Sequence, residues 1–372
     1  MMPRTLLPLL CGALLWATEA AAQASGGGEL SVVEVVGGLE NPWALAFLPG
    51  GRDMLITERS GNLRLLGDAG LSAPLGGVPE VFARGQGGLL DVALSPDFAR
   101  DRLVYLSYAE AGEDKAGTTV GRGRLASDGS RLEDFQVIFR QQPKLSTGEH
   151  FGSRLAFDRD GYLFIALGEN NQRSTAQDLD KLQGKLVRLH ADGSVPHDNP
   201  FVGQAGVRGE IWSYGHRNQQ GAAINPWSGA LWSHEHGPRG GDEVNVPAAG
   251  RNYGWPLATH GINYSLLPIP EARGEFVEGT EPPLHVWEKS PAISGMAFYD
   301  HPRFPEWRQS LFIGALRGYL IRLQLEGDKV VGEERLLENF GSRIRDVRQG
   351  PDGYLYLLTD ASDGQLLKVG LE

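Results

Sequence analysis

Cysteine is all but missing: the 372 residues contain one, Cys11. A disulfide framework is thereby excluded, and the fold must rest on its core and on any bound metal. Long apolar runs are equally scarce. The longest, Leu6 to Trp16, is too short to cross a bilayer. With Arg4 before it and the small residues Ala20 to Ala24 after it, that run reads as a secretory leader, residues 1–22, cut near Ala22 or Ala24. Cys11 falls inside the leader, and bulky Leu10 before it argues against a lipid-anchored variant. The expectation is a soluble periplasmic or secreted protein with no membrane span. Positive charge is in deficit, 35 Lys and Arg against 46 Asp and Glu, a net −11 without a basic stripe. That excludes nucleic acid and anionic membrane surfaces as partners. Common catalytic signatures are missing as well: no Gly-x-Ser-x-Gly, no phosphate loop, no His-Glu-x-x-His, and no dinucleotide glycine fingerprint after a strand.

Glycine and proline, in contrast, are plentiful, 51 and 22, and are spread between apolar stretches. This is the distribution of an all-β chain with many turns. A unit of strand, turn and strand recurs six times, its turns marked by Pro49, Pro96, Asp160, Pro226, Pro302 and Pro351. Six such units predict a six-bladed β-propeller with four-stranded antiparallel blades. The N-terminal strand around Ser31–Val36 would pair with the last strand around Gln365–Gly370, completing the last blade and removing an open edge. Residues 23–372 then form one domain. Longer units near 170–200 and 235–290 read as loops on the binding face.

Several polar clusters sit at predicted strand ends. Asp158–Gly161 imitates the start of a calcium loop but lacks the later acidic ligands, so it reads as a strand turn. His234 and His236 could pair on a metal, yet no third ligand of that kind lies nearby. The loop Gly237–Glu243 offers backbone carbonyls beside carboxylates, the donor type that calcium prefers. His150, just before a strand, is a candidate general base, with an exposed capping histidine as the ordinary alternative. Arg317, Arg343 and Arg345 lie near strand ends of the last two units, where a solvated cationic face is the ordinary reading.

Four segments change those readings together: Gly85–Asp91 (GQGGLLD), Tyr214–Gly221 (YGHRNQQG), His236–Glu243 (HGPRGGDE) and Ser342–Asp346 (SRIRD). In order along the chain, they resemble the soluble quinoprotein glucose and aldose sugar dehydrogenases. The compact aldose branch is the nearer, through Asn252–Ala258 (NYGWPLA) and Gly261–Tyr264 (GINY). The resemblance implies oxidation of aldoses to lactones by hydride transfer to calcium-bound pyrroloquinoline quinone (PQQ), with an external electron acceptor. It implies His150 as catalytic base and Arg217 as the residue stabilising the quinone oxygen. Gln86, Arg217, Asn218, Tyr264, Arg317, Arg343 and Arg345 would contact the cofactor. Gly237 and Pro238 would hold the cofactor's calcium through their carbonyls, and Glu243 with the Tyr253 carbonyl a second, structural calcium. The longer loops and dimer-interface segment of the glucose enzymes are missing, which implies a monomer with broad use of mono- and disaccharides. Two rival readings are a calcium-dependent propeller lactonase or esterase, and a propeller that only binds sugar.

Overall fold

The computed structural model describes residues 22–23 and 28–372. The leader expected over residues 1–22 lies almost wholly outside them. The described chain is six antiparallel sheets, in sequence order around a ring, and almost no helix. Their inner strands are Pro42–Phe47, Leu89–Leu94, Gly152–Phe157, Gln219–Ile224, Ile293–Tyr299 and Ile344–Gln349, one for each of blades 1 to 6. Each inner strand packs against its neighbours in the next blades, and blade 6 returns to blade 1.

The six marked turns all fall between the first and second strand of a blade; Asp158, for example, accepts from the N–H groups of Asp160 and Tyr162. Apolar and β-branched residues fill the second strands: Met54–Glu58, Leu163–Leu167 and Leu355–Thr359 are buried throughout. Residues on both faces of such a strand are covered because each blade is sandwiched between two others. The ring closes where Glu29–Leu39 pairs antiparallel with Gly364–Leu371, with Leu30 opposite Leu371 and Leu39 opposite Gly364. A short further strand, Ala22–Gln23, adds to the same sheet's edge.

Strand direction decides where function can sit. The connections between blades and the hairpins joining second to third strands share one face. Blade 4 carries the largest insertion, between Asp242–Asn245 and His285–Trp287. It leaves on the opposite face and returns: Asn252 bridges to Tyr214, and Ile262 to Arg239. The loop expected from sequence is there, but it reaches the site only by crossing the blade's edge.

Candidate active site

His150 ends the connection from blade 2 to blade 3, one residue before Phe151 and the inner strand. Its backbone is left-handed, φ 52°, a conformation that costs a non-glycine residue energy and persists only when its surroundings enforce it. Those surroundings are specific. The His150 N–H donates to Gln86 Oε1 at 3.0 Å, and its carbonyl accepts from Asn170 N at 3.2 Å and Asn170 Nδ2 at 3.1 Å. Gly168 makes room: a β-carbon there would stand 1.9 Å from the His150 carbonyl oxygen.

The ring is aimed by a carboxylate. His150 Nδ1 lies 2.7 Å from Oε2 of fully buried Glu169, which also accepts the Asn171 N–H at 2.8 Å. A carboxylate on Nδ1 places the ring proton there and leaves Nε2 as the basic nitrogen. Nε2 has no hydrogen-bond partner among the described residues, so it is available to a substrate hydroxyl. Sequence reading named His150 but missed Glu169; the run Leu167-Gly168-Glu169 after a strand was its only signal.

Beside this dyad lies a cavity of about 160 Å³, lined by Gln86, Asn218, Arg343 and Arg345 of the expected set, and by Phe151, Asp360 and others. Asp360 was not foreseen. It bridges Arg343, at 3.0 Å, and Arg345, at 2.8 Å. Burial pushes its carboxyl up, but Arg345 and Arg343 more than offset this and hold it below the usual range. Arg345 also donates to Gln220 Oε1 and Ser294 Oγ, both at 3.2 Å, and burial lowers its own pKa.

His236 belongs to this cavity and to a second, smaller one, where Arg217, Gly237, Pro238, Glu243 and Tyr253 meet. Arg217 donates to the His236 carbonyl at 3.1 Å and sits 5.3 Å from the Trp255 ring centroid. Glu243 faces Glu235 across the sheet, and Asn245 Nδ2 donates to both. Burial, reinforced by the Glu235 charge, pushes Glu243 up to about 8. The Tyr253 ring stacks on His216, centroids 4.9 Å apart, while its hydroxyl donates to Val246 O and accepts from Ala248 N. Only the Tyr253 carbonyl remains for a further ligand.

Two expected residues stand apart. Tyr264 is 73% exposed on the blade 4 insertion and lines neither cavity. Arg317 is exposed and donates to the Ser290 carbonyl at 2.6 Å, although its neighbour Leu316 lines the first cavity. His234 and His236 do not converge on a common point: each hydrogen-bonds a different backbone carbonyl, Gly295 and Ile293. Among the described residues no group of three or more His, Cys, Asp and Glu could hold a metal.

The residues do fit an anionic cofactor and cations held by oxygen. Nε of Arg217 and Nε of Arg345 are buried donors without partners, and such groups call for an acceptor. Two adjacent carboxylates, buried Glu235 and half-buried Glu243, repel each other and are relieved by a cation.

Fold and site thus define a six-bladed propeller that gathers a histidine–carboxylate dyad and a set of arginines at one end of its ring. The chain belongs to the glucose/sorbosone dehydrogenase family, whose model matches residues 39–368. It is 62% identical over 369 residues to the aldose sugar dehydrogenase YliI of Escherichia coli, covering 98% of this chain and 97% of that one. A crystal structure of a glucose dehydrogenase superposes with a TM-score of 0.91 at 70% identity, over 92% of this chain and all of the other. The PQQ-bound aldose sugar dehydrogenase of Streptomyces coelicolor superposes with a TM-score of 0.76 at 30% identity, over 93% of this chain and 99% of that one.

Proposed function

We propose that this protein is a sugar dehydrogenase that oxidises the anomeric carbon of aldoses to lactones, using PQQ and calcium and passing electrons to an external acceptor. The observation that carries the reading is the buried His150–Glu169 dyad set against a cavity with unpartnered guanidinium N–H groups. When bound, the quinone supplies the carbon that takes up hydride, and its calcium polarises the neighbouring carbonyl.

The chain's own residues do the rest. His150 Nε2 takes the proton of the anomeric hydroxyl, and Glu169 steadies the imidazolium that forms. Arg217 would place its guanidinium where negative charge develops on the acceptor oxygen. Arg343 and Arg345 would exchange Asp360 for cofactor carboxylates, with Asn218 and Gln86 fixing orientation. Gly237 and Pro238 would lend carbonyls to the cofactor's calcium, and Glu243 with the Tyr253 carbonyl would hold the second ion. Arg317 and Tyr264 stand at the rim in this reading. The lactonase alternative calls for carboxylates and amides converging on one metal, and the arginine set has no use there. Work in the periplasm agrees with the leader read from sequence, and a monomer with the missing dimer-interface segment of the glucose enzymes.

The test is reconstitution. Protein freed of cofactor and metal should reduce a dye with glucose only when PQQ and calcium are both added, and a nicotinamide cofactor should do nothing. Undiminished turnover in chelated, quinone-free protein would overturn the assignment.

A further inference from the structure

Arg59 lines the inner cavity beside Arg343 and Arg345, and the dehydrogenase mechanism gives it no task. It follows the second strand of blade 1, Met54–Glu58, and begins the hairpin to Asn62–Gly67. Its main chain is fixed on two sides: the N–H donates to Asn41 O and the carbonyl accepts from Leu89 N, both at 3.2 Å. That carbonyl runs so close to Gly88 that a β-carbon there would stand 2.1 Å from its oxygen. The inner strand of blade 2, Leu89–Leu94, thus starts directly against Arg59.

The side chain is only partly used by the protein. Nη2 donates to Gly85 O at 2.7 Å, while Nε is a buried donor without a partner. Arg343 and Arg345 share Asp360, but Arg59 forms no ion pair with a described residue. A half-buried cation in that position has lost hydration and gained no counter-charge. Such a group calls for an acceptor of opposite sign.

The cavity as a whole makes the same demand. Three guanidinium groups, Arg59, Arg343 and Arg345, line it against one carboxylate, Asp360, an excess of two positive charges. A neutral sugar does not offset that excess, whereas a ligand with several carboxylates does. PQQ carries three. Arg317, the third cation expected from sequence, is exposed and lines neither cavity. Arg59 lines the inner one.

We infer, resting on the PQQ reading, that Arg59 is a further cofactor-binding residue: the third guanidinium of a clamp on the cofactor's carboxylates. The rival role is purely positional. Through Gly85, Arg59 holds the segment whose Gln86 fixes the His150 backbone. The two roles fail differently on substitution. Loss of a carboxylate contact weakens PQQ binding and leaves the base in place. Loss of the tie alone displaces His150 and lowers the rate even with cofactor bound.

The experiment is calorimetric titration of calcium-loaded, cofactor-free protein with PQQ, at about 0.02 M and about 0.3 M salt. Arg59→Gln and Arg59→Met both remove the charge, and either suffices if the other does not fold. Each should raise Kd about tenfold or more at low salt, the usual loss for a hydrogen bond between charged groups. The gap from wild type should narrow at high salt, because screening weakens an attraction that only the wild type has. At saturating PQQ, sugar-dependent dye reduction should recover much of the wild-type kcat. An unchanged Kd overturns the clamp, whatever happens to kcat. So does a gap in Kd that is equal at both salts, which marks lost shape and not lost charge. If wild type itself binds no PQQ, the cofactor reading fails and the clamp falls with it. If wild type binds and the neutral variants bind equally well, only the clamp fails.

Discussion

His150 and Arg345 enter one site by different routes, and their removal should cost different things. His150 owes its position to backbone contacts from Gln86 and Asn170 and its tautomer to Glu169. Arg345 is a buried cation balanced by Asp360. His150→Ala should therefore bind PQQ normally and turn over at a rate lower by roughly 10²–10⁴, the usual worth of a positioned general base. Arg345→Ala should instead need more PQQ, by about tenfold or more for the loss of a charge-assisted hydrogen bond, and recover much of its rate at saturation. PQQ titrations of both variants, followed by sugar-dependent dye reduction, separate the two. Full recovery of His150→Ala at high PQQ would make His150 a binding residue. Sequence reading could find His150 and Arg345 because they sit in recognisable segments. Glu169 and Asp360 were beyond it, since a lone carboxylate after a strand has no local signature; only the partner it meets gives it a role.

At the scale of the element, the hairpin of blade 3 that joins Leu163–Leu167 to Lys185–Leu189 sets the depth of the site. Gly168 begins that hairpin and runs so close to the His150 carbonyl that no side chain fits. The obstacle is main chain, which cannot swing aside as a side chain can. Gly168→Ala should push the His150 connection outward. Expected are a loss of kcat of at least tenfold, by analogy with misplacement of about 1 Å, and destabilisation of about 1–3 kcal/mol from overpacking. Steady-state kinetics and urea unfolding measure the two; a variant normal in both would show that the hairpin yields freely. The inner strands and their turns were legible in advance because Pro49, Pro96 and their counterparts interrupt apolar runs at every repeat. The path of the blade 4 insertion was not, because it is fixed by two isolated bridges, Tyr214 to Asn252 and Arg239 to Ile262, far from any periodic pattern.

Across the whole molecule, burial of polar groups between blades should make stability depend on pH. His234 lies on the second strand of blade 4, fully buried, with Nε2 donating to Gly295 O of blade 5. Burial lowers its pKa from 6.5 to about 3. Between those values the unfolded chain binds a proton that the folded chain refuses, so stability is lost as pH falls below 6.5 and the loss stops growing near 3. At pH 5 the deficit relative to pH 7 is about 2 kcal/mol on this account. Chemical unfolding of wild type and His234→Gln between pH 7 and 5 measures it. The wild type should lose more than the variant by that amount, and parallel curves would mean that His234 does not link folding to pH.

What the sequence determined by itself is the ring: the number of blades, their four-stranded plan and the strand that closes them follow from local alternation and turn chemistry, which act over a few residues. It also marked the segments that carry the arginines and His150. What only the tertiary structure decided is which of these meet. Gln86 meets the His150 backbone and Arg345 meets Gln220 because neighbours in space here come from blades far apart in the chain, while Tyr264 and Arg317 are left outside both cavities. Such contacts are set by closure of the ring, and no short-range pattern encodes them.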